Sequence, residues 1–513
     1  MTQSQTHWPR PVLLPFALGL LLRLIQVQSP IVGVHSWRQA DTAAMARHFA
    51  LENTPIWLPQ IDWGGFSPGY VECEFPLFPY LLGQIYKLFG IHEWLGRSLS
   101  ALLSALTILI VIRIGEQLLD PVSGWWGGLF FAVLPLSIYY GRTLQAEALL
   151  MFLAALSLER HLAWKQQQNP WALSISWLTF CLACLIKVLP MVWLGLPLLA
   201  LQLHPQPLGA GLSINQLNRN LRKLGRSPGP WIYLGATLLF GVLWYFHAYQ
   251  LGQNSGLSFG FWGPSSDRSS LRLILDLQLW LDLLLRISVR GLAVIGLPLL
   301  LLGLWKSRQQ AGGQILGAGL VGLLICTAFA LRASSIHEYY QLPLLLFFCP
   351  LMGKGWAVLT SLASQKGKNA WLNSSLSLLM IISLMIINID YWAVERRQAE
   401  IWMPLAQSIR QEVPAKSRIV SVTNGDPTLL NLARRQGWLA SAEEVNPTQL
   451  QAWANQGASH MAGSLNWKET YALLPNSRSK HALIELLCQG PVTSSCPQPP
   501  HRTYLVPLNL LIP

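Results

Sequence analysis

Two short stretches carry residue types able to move a proton or hold a charged group. The first reads His35-Ser36-Trp37-Arg38-Gln39-Ala40-Asp41-Thr42, the second Glu72-Cys73-Glu74-Phe75-Pro76. Ser36 and Gln39 have the spacing of a capping box, which predicts a helix from Trp37 to about Glu52 with His35 just ahead of it. On that helix Arg38 and Asp41 share a face. They suit either an i,i+3 ion pair worth about 0.2–0.5 kcal/mol or one side of a site. A residue before proline is held extended, and in an extended chain Glu72 and Glu74 point the same way. Two carboxylates on one side can bind a cation, orient hydroxyls or act as acid and base. A solvated loop carries the same two residues without any of these roles.

A third stretch, Gly141-Arg142-Thr143-Leu144-Gln145-Ala146-Glu147, ends on an acid in the first turn of a predicted helix. There it complements the helix dipole, and an acid at a membrane boundary beside Arg142 is also a frequent functional feature. Lys187, Arg332, His337, Tyr339 and Tyr340 supply cations and hydrogen-bond donors at the ends of other apolar runs. Such groups suit a phosphate-bearing lipid head. Lys, Arg and Tyr also anchor helix ends at the interface, and only several of them on one face favour a site.

The elements that must position these residues are membrane helices. The chain of 513 residues is 52% hydrophobic and 12% charged, with a mean hydropathy of +0.37, against about 25% charged in soluble domains. A bilayer core of about 30 Å takes about 20 apolar residues per helix. Runs near 11–28, 97–118, 122–141, 146–164, 171–186, 188–203, 230–249, 290–305, 313–331, 339–361 and 373–394 fit this need. The expected fold is an all-α polytopic domain over 1–394 with about eleven transmembrane helices. Its first run, which lacks a small-residue cleavage site, reads as a retained anchor. Residues 171–203 would be about 50 Å long as one helix, so a hairpin turning at Lys187 to Pro190 is the simpler solution.

The excess of 36 Lys+Arg over 23 Asp+Glu, a net +13, would suggest nucleic acid in a soluble protein. Here basic residues cluster in loops between apolar runs and act as orientation signals, so no nucleic-acid partner is expected. Placing Arg160, Lys165, Arg219, Arg222, Lys223, Arg226, Lys306, Arg308 and Lys354 in the cytoplasm gives one consistent topology. The loop 29–96, the turn at 141–147, Lys187, the loop 250–289, Arg332 to Tyr340 and everything after 394 then lie on the outer side.

Residues 395–513 change in composition and read as a small extracytoplasmic α/β domain. Arg418 to Thr423 is a predicted strand entering the turn Asn424-Gly425-Asp426-Pro427. Helices follow from Thr428 to Arg435 and after Asn446, and Tyr504 to Leu508 forms a closing strand. Cys181 and Cys184 lie in an apolar run with no second pair, which argues against a metal or redox site. Cys488 and Cys496 fall in the outer tail, where a disulfide is permitted.

With these residues in place, the sequence resembles the GT-C glycosyltransferases, most of all the family-39 and ArnT-like branch with its protein mannosyltransferases and aminoarabinose transferases. The resemblance rests on a short first span, a long outer loop with an acid near its start and Glu74-Phe75-Pro76. Gly141-Arg142 followed by Glu147, Lys187 in a span-to-span turn, and His337-x-Tyr339-Tyr340-x-Leu342-Pro343 complete it. It covers roughly 1–360. It implies an enzyme in a bacterial-type inner membrane that takes a sugar from a polyprenyl-phosphate donor. The acceptor would be a glycan, lipid or protein on the outer face, and membrane lipid would surround the enzyme.

Set against the family's first-loop motif, Arg38 matches the arginine and Asp41 the later acid, while His35 and Ser36 stand where an acidic pair is usual. The base therefore falls to Asp41 or His35. Glu74 matches the acid of a Glu-Lys-Pro element whose lysine is absent here. Glu147 matches the acid after Gly-Arg, Lys187 the lysine of a Thr-Lys-Gly turn, and His337 and Tyr340 the lipid-phosphate end. Arg38, Arg142, Arg332 and Tyr339 join Lys187 as candidate donor or phosphate contacts. A divalent cation held by Glu72, Glu74 and Asp41 is a further expectation. A transporter or flippase, or a non-catalytic subunit of envelope-glycan assembly, is the alternative.

Overall fold

The computed structural model describes residues 11–259, 271–365, 369–470, 474–488, 496–497 and 502–512. The chain separates into two compact units. One comprises residues 1–27, 97–247 and 262–387, the other 28–96, 248–261 and 388–513.

The first unit is helical. Every apolar run expected within it coincides with a helix or a broken pair of helices, among them Leu13–Leu24, Glu147–Gln167, Pro170–Ile186 and Leu344–Gln365. Among the described residues of the chain, five helices are long and apolar enough to cross a membrane, or six if the Leu277–Gly291 and Gly296–Ser307 pair, bent by 101°, is one span. Several expected spans are shorter or broken. Leu13–Leu24 has 12 residues, and the 122–141 run breaks at Pro135 into Pro121–Val133 and Pro135–Tyr140.

Local signals set the helix starts. Asp120 and Asn169 cap with their side chains and are followed by Pro121 and Pro170 at the first helical position, where a missing N–H costs nothing. Close packing rests on small residues, as is usual between membrane helices. A Cβ at Gly303 would lie 1.8 Å from the Leu351 carbonyl oxygen, and one at Gly353 2.0 Å from that of Ser123. Arg23 is fully buried and donates to Ser104 Oγ (2.7 Å), Ser137 Oγ (2.6 Å) and the carbonyls of Gly19, Phe131 and Ala132. This buried cation ties its own helix to its neighbours through hydrogen bonds.

The second unit holds the loop helices Ser36–Leu51 and Leu77–Phe89, the helix Ala393–Glu412 and a four-stranded sheet. The strands are β1 (Arg418–Val422), β2 (Gly437–Ala440), β3 (Ala458–Ser464) and β4 (Thr503–Pro507), in the order β2-β1-β3-β4. β1 is parallel to β2 and β3, and β4 closes antiparallel on β3. The expected strands at 418 and 504, the turn at Asn424 and the helix capped by Asn446 are all present. One side of the sheet packs on Ile401, Leu405, Ile409 and Leu430, the other on Leu450, Trp453, Leu483 and Leu487. Cys488 is bonded to Cys496.

The 29–96 loop folds as part of this unit. Gly437 N–H donates to Asp62 O (2.9 Å), and Gly437 O accepts from Gly64 N–H (3.2 Å) and Gly65 N–H (2.9 Å), so the loop extends β2 at Trp63. Glycine is required there, since a Cβ at 437 would lie 1.8 Å from Ile419 O.

Candidate active site

In the loop-and-sheet unit the helix begins at Ser36, one residue earlier than the capping-box reading, and that box does not form. His35 takes a left-handed conformation (φ 55°) and caps without its side chain. Ser36 Oγ instead accepts from Thr428 Oγ1 at 3.0 Å. The left-handed turn is uncommon for a non-glycine residue and marks a backbone constrained from outside the helix. His35 itself is half-buried.

Asp41 is 2% exposed, and its Oδ1 accepts from Trp63 Nε1 at 2.9 Å. Burial raises its carboxyl to about 8; the indole hydrogen bond and the charge of Arg38 pull the other way, and the charges of Asp62 and Asp426 add to the rise. With that proton affinity the group is mostly protonated at neutral pH and becomes a carboxylate as the pH rises towards 8. Arg38 does not pair with Asp41 on the helix face: its guanidinium bonds Glu74 and lies over the Phe259 ring, 5.3 Å from the centroid. Glu74 therefore sits against a cation.

Glu72 has different surroundings. It is 4% exposed, its backbone N–H donates to Leu257 O (3.0 Å), and its O accepts from Phe259 N–H (3.2 Å). The chain bends at Glu74, so the extended geometry that would align the two acids ends before it. Among the described residues no three His, Cys, Asp or Glu side chains are grouped as a metal ion requires. Asp41, Glu72 and Glu74 thus do not form a ligand set here.

A buried charge network, not visible from spacing, backs the Ser36–Leu51 helix. Asp62 bonds Arg47 and lies 3.1 Å from His48 Nε2, while His48 Nδ1 lies 2.6 Å from Glu52 Oε1. Burial alone would raise the Asp62 carboxyl, but Arg47 and His48 overcome it and hold it at about 2. His48 is raised, its bonds to Asp62 and Glu52 outweighing the cost of burying its charge. Arg47 also donates to Asn431 Oδ1 (2.9 Å). Burial likewise raises the Asp426 carboxyl against hydrogen bonds from Thr428 and Ser36.

In the helical unit, Glu147 opens its helix as expected and the chain breaks at Lys187 to Leu189. Lys187 Nζ lies 2.5 Å from Glu147 Oε1 and over the Tyr339 and Tyr340 rings, 4.5 and 5.0 Å from their centroids. These four residues, with Trp193 and Ser334, border a cavity of about 20 Å³, room for one water. His337 stacks on Tyr339 at 5.3 Å. Arg142 is fully buried, donates to Gln26 O (3.2 Å) and faces the Tyr139 ring. Arg332 is exposed.

Residues that spacing did not single out complete this cluster. Glu338 is 2% exposed, accepts from Tyr140 OH (2.8 Å) and pairs with Arg290 Nη1 (2.6 Å). The acid between His337 and Tyr339 was a visible signal; Arg290, some fifty positions away in a π-helical turn (Ile287–Gly291), was not.

The model of the dolichyl-phosphate-mannose-protein mannosyltransferase family matches residues 73–211. Among curated proteins no sequence matches. ArnT from Cupriavidus metallidurans, solved with undecaprenyl phosphate, is 13% identical, with a TM-score of 0.62 over 98% of this chain and 99% of its own. The archaeal oligosaccharyltransferase AglB from Archaeoglobus fulgidus, solved with an inhibitory peptide and a dolichol-phosphate, is 11% identical, with a TM-score of 0.53 over 91% of this chain and 70% of its own. The mycobacterial arabinofuranosyltransferase AftD is 16% identical, with a TM-score of 0.52 over 89% of this chain and 35% of its own.

Proposed function

We propose that this chain, whose fold is that of the GT-C membrane glycosyltransferases, transfers a sugar from a polyprenyl-phosphate donor to a glycan, lipid or protein hydroxyl on the outer face of an inner membrane. The observation that carries the proposal is the placement of Asp41, 2% exposed on the loop helix with its Oδ1 accepting from the Trp63 indole N–H at 2.9 Å. A carboxyl so placed, with an indole donor in place of a cation, can in its ionised form take the proton of a hydroxyl.

In the proposed reaction the acceptor oxygen gives its proton to Asp41 and attacks the anomeric carbon. The bond from that carbon to the phosphate oxygen breaks, the configuration inverts, and polyprenyl phosphate leaves with the electron pair. Charge developing on the phosphate calls for cations. Lys187, set over two tyrosine rings, is assigned this role with Arg142 and Arg332, and His337, Tyr339 and Tyr340 supply hydrogen-bonding groups. A phosphate reaching Lys187 competes with Glu147 for it, and the present cavity must widen. Arg38 joins these cations as a donor-phosphate contact, and Glu74, bonded to its guanidinium, serves as a further catalytic carboxylate; a divalent cation drawn to Glu72, Glu74 and Asp41 on substrate binding would be revealed by loss of turnover on chelation.

The test is turnover of a purified polyprenyl-phosphate sugar by the protein in membranes, comparing Asp41→Asn and His35→Ala. Loss in Asp41→Asn with activity kept in His35→Ala supports the assignment, and full activity in both sinks it. Movement of the donor across the bilayer without any new glycosidic bond would reassign the chain to transport.

A further inference from the structure

The Ile214–Gly225 helix forms on its own local signals. Ser213 Oγ accepts from Gln216 N–H, and the Gln216 side chain accepts from Ser213 N–H at 2.9 Å, a complete capping box. At about 100° per residue, Ile214, Leu217, Leu221 and Leu224 fall on one face and Arg219, Arg222, Lys223 and the following Arg226 on the opposite one. Core packing usually supplies the stability of such a short helix by burying its apolar stripe. Here no residue of the helix is buried, and Ile214, Leu217 and Leu221 are 77%, 37% and 40% exposed.

The charge is equally one-sided. Between Glu159 and Asp267 the sequence contains no Asp or Glu, so the flanking sequence offers these cations no acidic partner. With Asn215, Asn218 and Ser227 the four line an open groove of about 820 Å³. Immediately downstream begins Pro228–Ser255, a helix long and apolar enough to cross a membrane. Near its start Trp231, 60% exposed, donates to Gly225 O at 3.1 Å. Tryptophan is enriched at span ends, at the headgroup level, and this hydrogen bond ties the end of the amphipathic helix to the start of the apolar one.

We propose that the Ile214–Gly225 helix lies in the bilayer interface and binds anionic phospholipid headgroups through Arg219, Arg222, Lys223 and Arg226. Its apolar stripe enters the acyl boundary and the cations reach the phosphodiesters, as an interfacial basic helix does. A soluble protein partner would leave Ile214 and its stripe facing lipid without reason, whereas a charged lipid surface satisfies both faces at once.

The full chain in lipid nanodiscs provides the test. Amide hydrogen exchange across residues 213–226 is expected to slow when phosphatidylglycerol joins phosphatidylcholine, and the effect should fade in high salt. The R219Q/R222Q/K223Q/R226Q variant is expected to lose the slowing while Pro228–Ser255 keeps its protection. In native mass spectrometry each removed cation should weaken phosphatidylglycerol retention about fivefold. Single R222Q and K223Q variants keep the test usable should the quadruple variant fail to assemble. Equal protection in both lipids, or protection in phosphatidylcholine by inorganic phosphate or soluble polyglutamate, overturns the proposal.

Discussion

Each unit buries a carboxylate, and the two are treated in opposite ways. Glu147 in the helical unit is neutralised by Lys187 at 2.5 Å. Asp41 in the loop-and-sheet unit has an indole N–H at 2.9 Å in its place, and burial leaves its proton affinity high. A paired acid holds a cation in position; a desolvated acid with one neutral donor holds its proton tightly and can exchange it. In the proposed reaction, the difference would separate the two jobs of accepting a proton and neutralising a phosphate.

The sharpest way to break that contrast is Asp41→Asn. Removing a general base typically costs about 10²–10⁴ in rate, and a kinetic assay should show that loss. Stability should move the other way. Because the folded carboxyl is raised above its ordinary value of 3.8, ionising it costs folding free energy that grows as pH climbs from about 4 towards about 8. Thermal unfolding of Asp41→Asn is therefore expected above wild type at pH near 8 and level with it near 4. A variant both inactive and less stable at high pH would mark Asp41 as structural.

Asp62 supplies the control within the same unit, since its folded carboxyl is lowered to about 2 by Arg47 and His48. Its contribution is present above pH about 4 and lost as pH falls towards 2, the reverse sign to Asp41. Asp62→Asn leaves Arg47 buried without its charge partner and should cost about 3–5 kcal/mol, read from denaturant midpoints. In the helical unit, Lys187→Met should slow transfer about 10²–10³-fold, the usual effect of losing one stabilising charge on a developing anion. Glu147→Gln, which removes the carboxylate charge beside Lys187, should tighten polyprenyl phosphate binding and so sharpen the division of roles.

Much of this was legible in one dimension, and the exceptions share a cause. Apolar runs located the helices of the first unit because burial in lipid or protein needs length and composition alone. The Asn424-Gly425 turn and the Asn446 cap located the tail's elements because those signals are local. β2 and β3 were missed: Gly437-Trp-Leu-Ala and Ala458 to Ser464 alternate weakly, and their partners lie on other segments. The capping-box reading at Ser36 failed for the same reason, since Thr428, nearly four hundred positions away, holds that hydroxyl. Asp41, Arg38 and Glu74 could be picked out by type, whereas their pairings could not. The Arg38–Glu74 pair and the Trp63 indole on Asp41 depend on how the loop folds back and on Gly437 gripping residues 62 to 65.

That grip yields the finest test of the contrast. Backbone bonds from Asp62, Gly64 and Gly65 to Gly437 hold Trp63 beside β2, so the tail's sheet sets where the indole N–H meets Asp41. Trp63→Phe keeps an aromatic ring in the loop and deletes the donor. The hydrogen bond favours the charged form of Asp41, so its loss should raise the carboxyl further and move the acid limb of the rate profile to higher pH. A tenfold gain in the carboxyl's proton affinity, about 1.4 kcal/mol, lowers the rate at neutral pH roughly tenfold, and the rate should recover as the solution is made alkaline. A slower enzyme with an unmoved pH profile would mean that the indole only packs the loop, and that burial alone sets the proton affinity of Asp41.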